Sequence, residues 1–140
     1  MMTKSPSGAL SPYYYKGGYF HGIHYGSYFG NAEALEDMMK REEEFILKSC
    51  EKRRIMIDLY ETELSPRVLE ALEQHLIHLC PKIVKLAFAT DRKGLRVIRK
   101  MIRRCRQLEN LCCYYSTDME EGKTWLVSDS DNRGRIYGLF

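Results

Sequence analysis

Eight of the fifteen residues from Arg92 to Arg106 are cationic. At helical spacing Arg92, Arg96, Arg99, Arg103 and Arg106 track along one flank, with Lys93, Lys100 and Arg104 beside them. Arginine outnumbers lysine there, and its planar fork suits bidentate contact with phosphate or carboxylate. Such a surface could meet nucleic acid, an anionic membrane or an acidic partner. The alternative is a solvated helix whose charges partly answer the acid-rich segment from Ala32 to Cys50, and this is the expectation adopted. Nucleic acid is disfavoured as a partner: helix-turn-helix spacing, zinc-finger ligands and an aromatic RNP-like strand are missing.

The second chemical candidate is the turn Thr90-Asp91-Arg92-Lys93-Gly94, which joins an apolar run to that helix. Backbone N–H groups at a helix start attract anions. Ligand crevices of open α/β sheets lie at this edge. Asp91 competes, because its carboxylate can cap the same N–H groups. Asp58, with Glu61 and Glu63 after it, ends another strand at the same edge, and Ser65 follows. The ligand-binding expectation therefore spans Asp58, Ser65, Thr90, Asp91, Arg92, Lys93 and Gly94, with Arg96, Arg99, Lys100, Arg103, Arg104 and Arg106 as the basic surface. No catalytic residues are expected: G-x-S-x-G, Walker and G-x-G-x-x-G patterns do not occur. His21 with His24, and His75 with His78, are read as surface histidines. No carboxylate or cysteine stands at helical spacing to complete a metal set, so neither metal nor cofactor is expected.

These residues need elements to hold them. Ile83 to Ala89 is a near-continuous apolar run, the pattern of a strand buried on both faces. Arg54 to Tyr60 and Leu111 to Tyr115 read likewise as strands. Asn31 is placed to cap a helix to about Cys50, with Leu35, Met38, Met39, Phe45, Ile46 and Cys50 on its apolar side. Acid-first pairs Glu36–Lys40, Asp37–Arg41 and Glu44–Lys48 decorate its wet side. Ser65-Pro66 opens a second helix with Val68, Leu69, Leu72, Leu76, Leu79 and Cys80 inward, and Pro81 closes it. Leu95, Ile98, Ile102, Cys105 and Leu108 face inward from the arginine helix. Thr117-x-x-Glu120 predicts a capping box for a short last helix. Near the N-terminus, Gly17-Gly18 predicts a tight turn between Tyr-rich strands. Alternating strands and helices give an α/β fold: a mixed β-sheet with an N-terminal hairpin and right-handed crossover helices.

That order, with particular segments, resembles the STAS-like superfamily and most nearly its SpoIIAA-like group. The segments are Ile55-Met56-Ile57-Asp58-Leu59, then Lys85-Leu86-Ala87-Phe88-Ala89-Thr90-Asp91 leading into Leu95-x-x-Ile98. Ser116-Thr117-Asp118 and Glu121-Gly122-Lys123-Thr124-Trp125-Leu126 complete the set, which covers Tyr19 to Val127. The resemblance implies a non-enzymatic regulatory or protein-interaction module, related to partners of anti-sigma factors and to cytoplasmic domains of anion transporters. It also implies, as an alternative, uptake of nucleotides or apolar ligands. Antagonists of anti-sigma factors carry a phosphorylatable serine in an Asp-Ser-Ser-Gly-like segment. Here the matching segment is Glu61-Thr62-Glu63-Leu64-Ser65-Pro66, and Ser65 reads as a helix cap.

At 140 residues and net charge +3, the chain suits one domain with a core that needs no disulfide or metal. Residues 1–12 are expected to be a disordered tail, 13–127 the domain and 128–140 a C-terminal tail whose aromatic end can dock. No secretory signal or membrane span is expected, so the location expected is cytoplasmic, with the five cysteines reduced. The expected partner is a protein or a small ligand, with a homodimer through the Tyr-rich hairpin.

Overall fold

The computed structural model describes residues 3–7, 10–26, 28 and 30–128. The expected C-terminal tail, apart from Ser128, lies outside the described residues. Strands β1 (Thr3–Lys4) and β2 (Leu10–Ser11) form a small antiparallel ladder. Then come β3 (Tyr13–Tyr15), β4 (Gly18–His24), α1 (Ala32–Leu47), β5 (Arg53–Asp58) and α2 (Pro66–Leu79). After these follow β6 (Ile83–Ala89), α3 (Arg92–Arg104), β7 (Cys113–Ser116) and α4 (Met119–Val127). The main sheet runs β3-β4-β5-β6-β7, with β3 antiparallel to β4 and every other pair parallel. The α/β class and the mixed sheet with its N-terminal hairpin are thus present.

Neighbouring strands are also consecutive in sequence, so each crossover steps the same way across the sheet. Crossovers of one hand then place their helices on one face. The side chains agree. Ile23, Ile55, Ile57, Leu86, Phe88, Cys113 and Tyr115 form one core with Leu35, Ile46, Leu72, Leu76, Leu95 and Ile98 from α1, α2 and α3. The alternate strand positions Phe20, Met56, Ala87, Ala89 and Tyr114 meet Trp125 and Leu126 of α4 on the other face. Each fully buried aliphatic side chain contributes about 1.5–3 kcal/mol. Among the described residues a single nine-residue helix covers the second face of the five-stranded sheet, and part of that face beside α4 has no other described element over it.

Helix α4 sits close to the sheet at Gly122. A Cβ on Gly122 would lie 2.6 Å from Met56 Cε. Two cations grip its C-terminal end from below. Lys85 Nζ donates to the carbonyls of Trp125 (3.0 Å) and Ser128 (2.9 Å) and lies 4.5 Å over the Trp125 ring. Arg54 Nη1 donates to the carbonyls of Leu126 and Ser128. Positive charge is favourable at a helix C-terminus, where carbonyls lack intrahelical partners.

Several expectations need correction. The hairpin turn is Lys16-Gly17, both at positive φ (45° and 88°), as a type I′ turn requires. Gly18 instead starts β4, where a Cβ would lie 2.6 Å from Val127 Cβ. Residues 3–7 and 10–12 include β1 and β2 and reach the domain through polar contacts, the Ser7 N–H to Glu42 and the Ser11 hydroxyl to His21. Helix α1 stops at Leu47 and Cys50 is exposed, because the chain turns before that residue reaches the core. Strand β5 begins at Arg53 and ends at Asp58, and β7 runs from Cys113 to Ser116, each displaced by one or two residues from expectation. The last helix is capped by Asp118, which accepts from Glu120 N–H at 2.9 Å. Ser65 and Asp91 cap α2 and α3 as their residue types allow, accepting from Val68 N–H (3.2 Å) and Gly94 N–H (2.7 Å).

Candidate functional site

Strand β4 alternates its side chains between the two faces. His21 points toward α1, and His24, three residues on, toward the open face beside α4. Asp58 ends β5 in register with His24. His24 Nδ1 donates to Asp58 Oδ2 at 2.8 Å. The second carboxylate oxygen accepts from Tyr60 N–H at 3.0 Å, which fixes the acid. A carboxylate can only accept here, so Nδ1 carries the proton. Nε2 has no hydrogen-bond partner among the described residues. The hydrogen bond to Asp58 raises the pKa of His24, against opposing contributions from partial burial and Lys123. The imidazole is 49% exposed, Asp58 17%.

His24 lines a groove of 220 Å³ with Tyr13, Phe20, Gly22, Ile23, Met56, Met119 and Lys123. Its apolar walls come from the sheet and from the first turn of α4. Gly22 leaves space because it has no side chain. Lys123 is tied to Glu120 at 3.4 Å and lies 5.7 Å over the Tyr15 ring. Glu120 also accepts from the Tyr15 hydroxyl. The acids Asp58 and Glu120 thus stand behind the donors, and among the described residues no carboxylate lines the groove itself.

Asp58 is the one expected ligand residue that joins this groove's chemistry. The others are engaged elsewhere. Thr90 is buried and donates to Leu59 C=O at 3.2 Å. Asp91 occupies the first N–H groups of α3. Gly94 packs so closely that a Cβ would lie 2.8 Å from Thr90 Cγ2. Arg92 and Lys93 are exposed at the helix start. Asp58, Asp91 and Asp118 together raise the pKa of Tyr60, after burial as the main cause, so that end of the sheet is acidic. Between the loop after β5 and the start of α1 the cavity holds only 10 Å³, the size of about one water. Arg96, Arg99, Lys100, Arg103 and Arg104 line a shallow cleft of 280 Å³ on α3. Arg106 lies beyond the end of α3. Helix α2 packs between α1 and α3, so the acids of α1 do not answer the bases of α3 as anticipated. Glu36 instead binds Arg67 of α2 through two hydrogen bonds, 2.8 and 3.1 Å, and Asp37 holds Arg41.

The other histidines are not all on the surface. His21 is 1% exposed. Its Nε2 donates to Glu42 Oε1 at 3.1 Å and its Nδ1 accepts from the Ser11 hydroxyl at 2.5 Å. Arg53 Nη1 donates to the same Ser11 oxygen at 2.7 Å. Glu42 is fully buried; its pKa is lowered, because hydrogen bonds from His21 and Ser7 outweigh the larger single effect of desolvation. A serine, histidine and carboxylate in sequence resemble a nucleophile relay. Here the three seal the N-terminal segment to α1. A 560 Å³ cleft passes Ser11 and His21 at the far end of the sheet. Its arginines are already bound, Arg53 to Ser11 and Arg54 to the end of α4.

His75 is also buried, with Nδ1 donating to Glu43 at 2.6 Å and Nε2 accepting from Tyr25 at 2.8 Å. His78 donates to the other oxygen of Glu43 at 2.7 Å. Among the described residues no group of three or more His, Cys, Asp or Glu is arranged to hold a metal ion. No described helix is long and apolar enough to cross a membrane. None of the five cysteines is in a disulfide, and burial pushes the Cys113 thiol up to about 12.

Compared with protein-family models, curated proteins and solved structures, the chain matches none.

Proposed function

We propose that this chain is a non-catalytic regulatory module that senses a small ligand held in the groove between α4 and the β3–β4 hairpin. The observation that carries the reading is the groove itself. An apolar floor ends at an imidazole fixed by a carboxylate, with its second nitrogen free of partners among the described residues. Small-molecule sites combine these features: apolar walls and a few placed polar groups. A regulatory role accords with the STAS-like, SpoIIAA-like resemblance. The sequential parallel strands, three helices on one face and a last helix on the other support that assignment.

Thermal shift tests the reading, since a ligand that binds only the native state raises its apparent stability. The panel comprises anionic, neutral and cationic aromatic and short aliphatic compounds. At least one class should raise the melting temperature, and Gly22→Val, which places methyl groups in the groove, should abolish the rise. A flat response from the folded wild type to every class would contradict the reading. So would an unchanged response from Gly22→Val.

A protein-interaction role has a specific observation in its favour. Strand β3 is an edge, and Tyr14 and Tyr19 stack edge-to-face on it at 5.3 Å while remaining exposed. An edge with no further strand among the described residues, carrying aromatic side chains, suits pairing with another chain. Sedimentation of wild type against Tyr14→Lys tests this. A dimer lost on substitution supports it, and a wild type that stays monomeric at high concentration counts against homodimerisation.

A further inference from the structure

We infer that the groove takes a small monocarboxylate with an aromatic or short aliphatic body, its carboxylate between His24 and Lys123. The inference rests on the ligand-sensing reading and goes on to name the ligand's chemistry. Of the side-chain polar groups lining the groove, the Lys123 ammonium can only donate, the Tyr13 hydroxyl can donate, and His24 donates through Nε2 once its ring is protonated. No carboxylate stands among the described lining residues, so an accepting polar end suits the groove. Phe20, Met56 and Met119 supply the apolar remainder. The volume of 220 Å³ exceeds the roughly 150 Å³ that holds benzene and falls short of the ~300 Å³ at which drug-sized sites begin. A substituted benzene or a chain of about six carbons fits between these limits.

Charge fixes the conditions. The titratable groups around the groove are His24 on β4, Asp58 on β5, Glu120 and Lys123 on α4, Tyr13 and Tyr15 on β3, and Lys16 at the hairpin turn, which lies over the Tyr15 ring and donates to Thr124. With neutral imidazole, Lys16 and Lys123 balance the two carboxylates and the set has no net charge to hold an anion. Protonation of His24 makes the set net positive and presents Nε2–H toward the groove. A monoanion therefore binds with uptake of a proton, and its binding weakens as pH rises through the pKa of His24, which Asp58 holds above the ordinary value.

Isothermal titration calorimetry with benzoate and hexanoate, against benzamide and hexanamide, tests this at about pH 6 and about pH 8.5. At the lower pH the carboxylates should bind at least about tenfold more tightly than the amides. Their affinity should fall by up to about tenfold per pH unit above the pKa of His24. Buffers of different ionisation heat should show proton uptake. His24→Gln, at a half-exposed site, should stay folded and lose the pH dependence. Lys123→Met should weaken carboxylate binding and leave amide binding unchanged. Amides that bind as well as carboxylates would overturn the carboxylate assignment while leaving the groove as a ligand site. Failure of all four probes on folded wild type would overturn both. A pH dependence that survives His24→Gln would overturn the role given to His24.

Discussion

Strand β4 carries two histidine–carboxylate pairs three residues apart, one on each face of the sheet. His21 and Glu42 are sealed, at 1% and 0% exposure, and His24 and Asp58 are open, at 49% and 17%. The bonding is alike, at 3.1 and 2.8 Å. What differs is the neighbourhood of the imidazole's second nitrogen. In His21 that nitrogen is taken by Ser11, and in His24 it is left toward a groove. The same pair is a clasp where both sides are closed and, in the proposed function, a receptor where one is open. Burial, not residue type, separates the two roles.

The largest expected effect would come from breaking the clasp. Glu42→Ala leaves the buried His21 donor and the half-buried Ser7 N–H without their acceptor, and should cost on the order of 3 kcal/mol. Denaturant unfolding measures it. A loss below about 1 kcal/mol would show that the sealed pair is not structural. Next, Lys85→Met removes the cation gripping the last turn of α4 and should cost about 2 kcal/mol while loosening one wall of the groove. Ser11→Ala should cost about 1–2 kcal/mol, by leaving His21 Nδ1 and Arg53 without their shared partner. Hydrogen exchange at residues 3–7 should rise with it. His24→Gln, in the open pair, should change stability by no more than about 0.5 kcal/mol.

The pairs also separate by pH. Glu42 and Glu43 have lowered pKa values, so their contribution is present above the ordinary carboxylate range and is lost as pH falls through their folded values. His24 has a raised pKa, so its contribution is present below the ordinary imidazole value and is lost as pH rises through its folded value. His24→Gln should therefore differ from wild type in mildly acidic solution and converge with it in alkaline solution. Solvent screening keeps that difference small.

Much of the sheet was legible because apolar runs and capping residues are local signals. Ile83 to Ala89 announces a strand, Ser65-Pro66 a helix start, and Leu95, Ile98 and Ile102 a buried stripe. The site was legible only in half. Asp58 shows itself as a polar strand end, but His24 lies 34 residues before it, and only strand register brings them together. His75 and Glu43, 32 apart, and His21 and Glu42, 21 apart, hide for the same reason. Each is a polar residue in a core position, where periodicity expects an apolar one. Lys85 sits inside an apolar run and shows no sign of its bonds to α4. The N-terminal segment is held by the Ser7 N–H and the Ser11 hydroxyl, and serines in sequence resemble a solvated tail.

The imidazole resonances of the four histidines, followed by NMR during a benzoate titration in mildly acidic solution, test the contrast between the open and sealed pairs most directly. His24 should shift progressively to saturation while His21 and His75 hold their positions. A shift confined to His21, or four resonances that stay fixed to saturating benzoate, would contradict it.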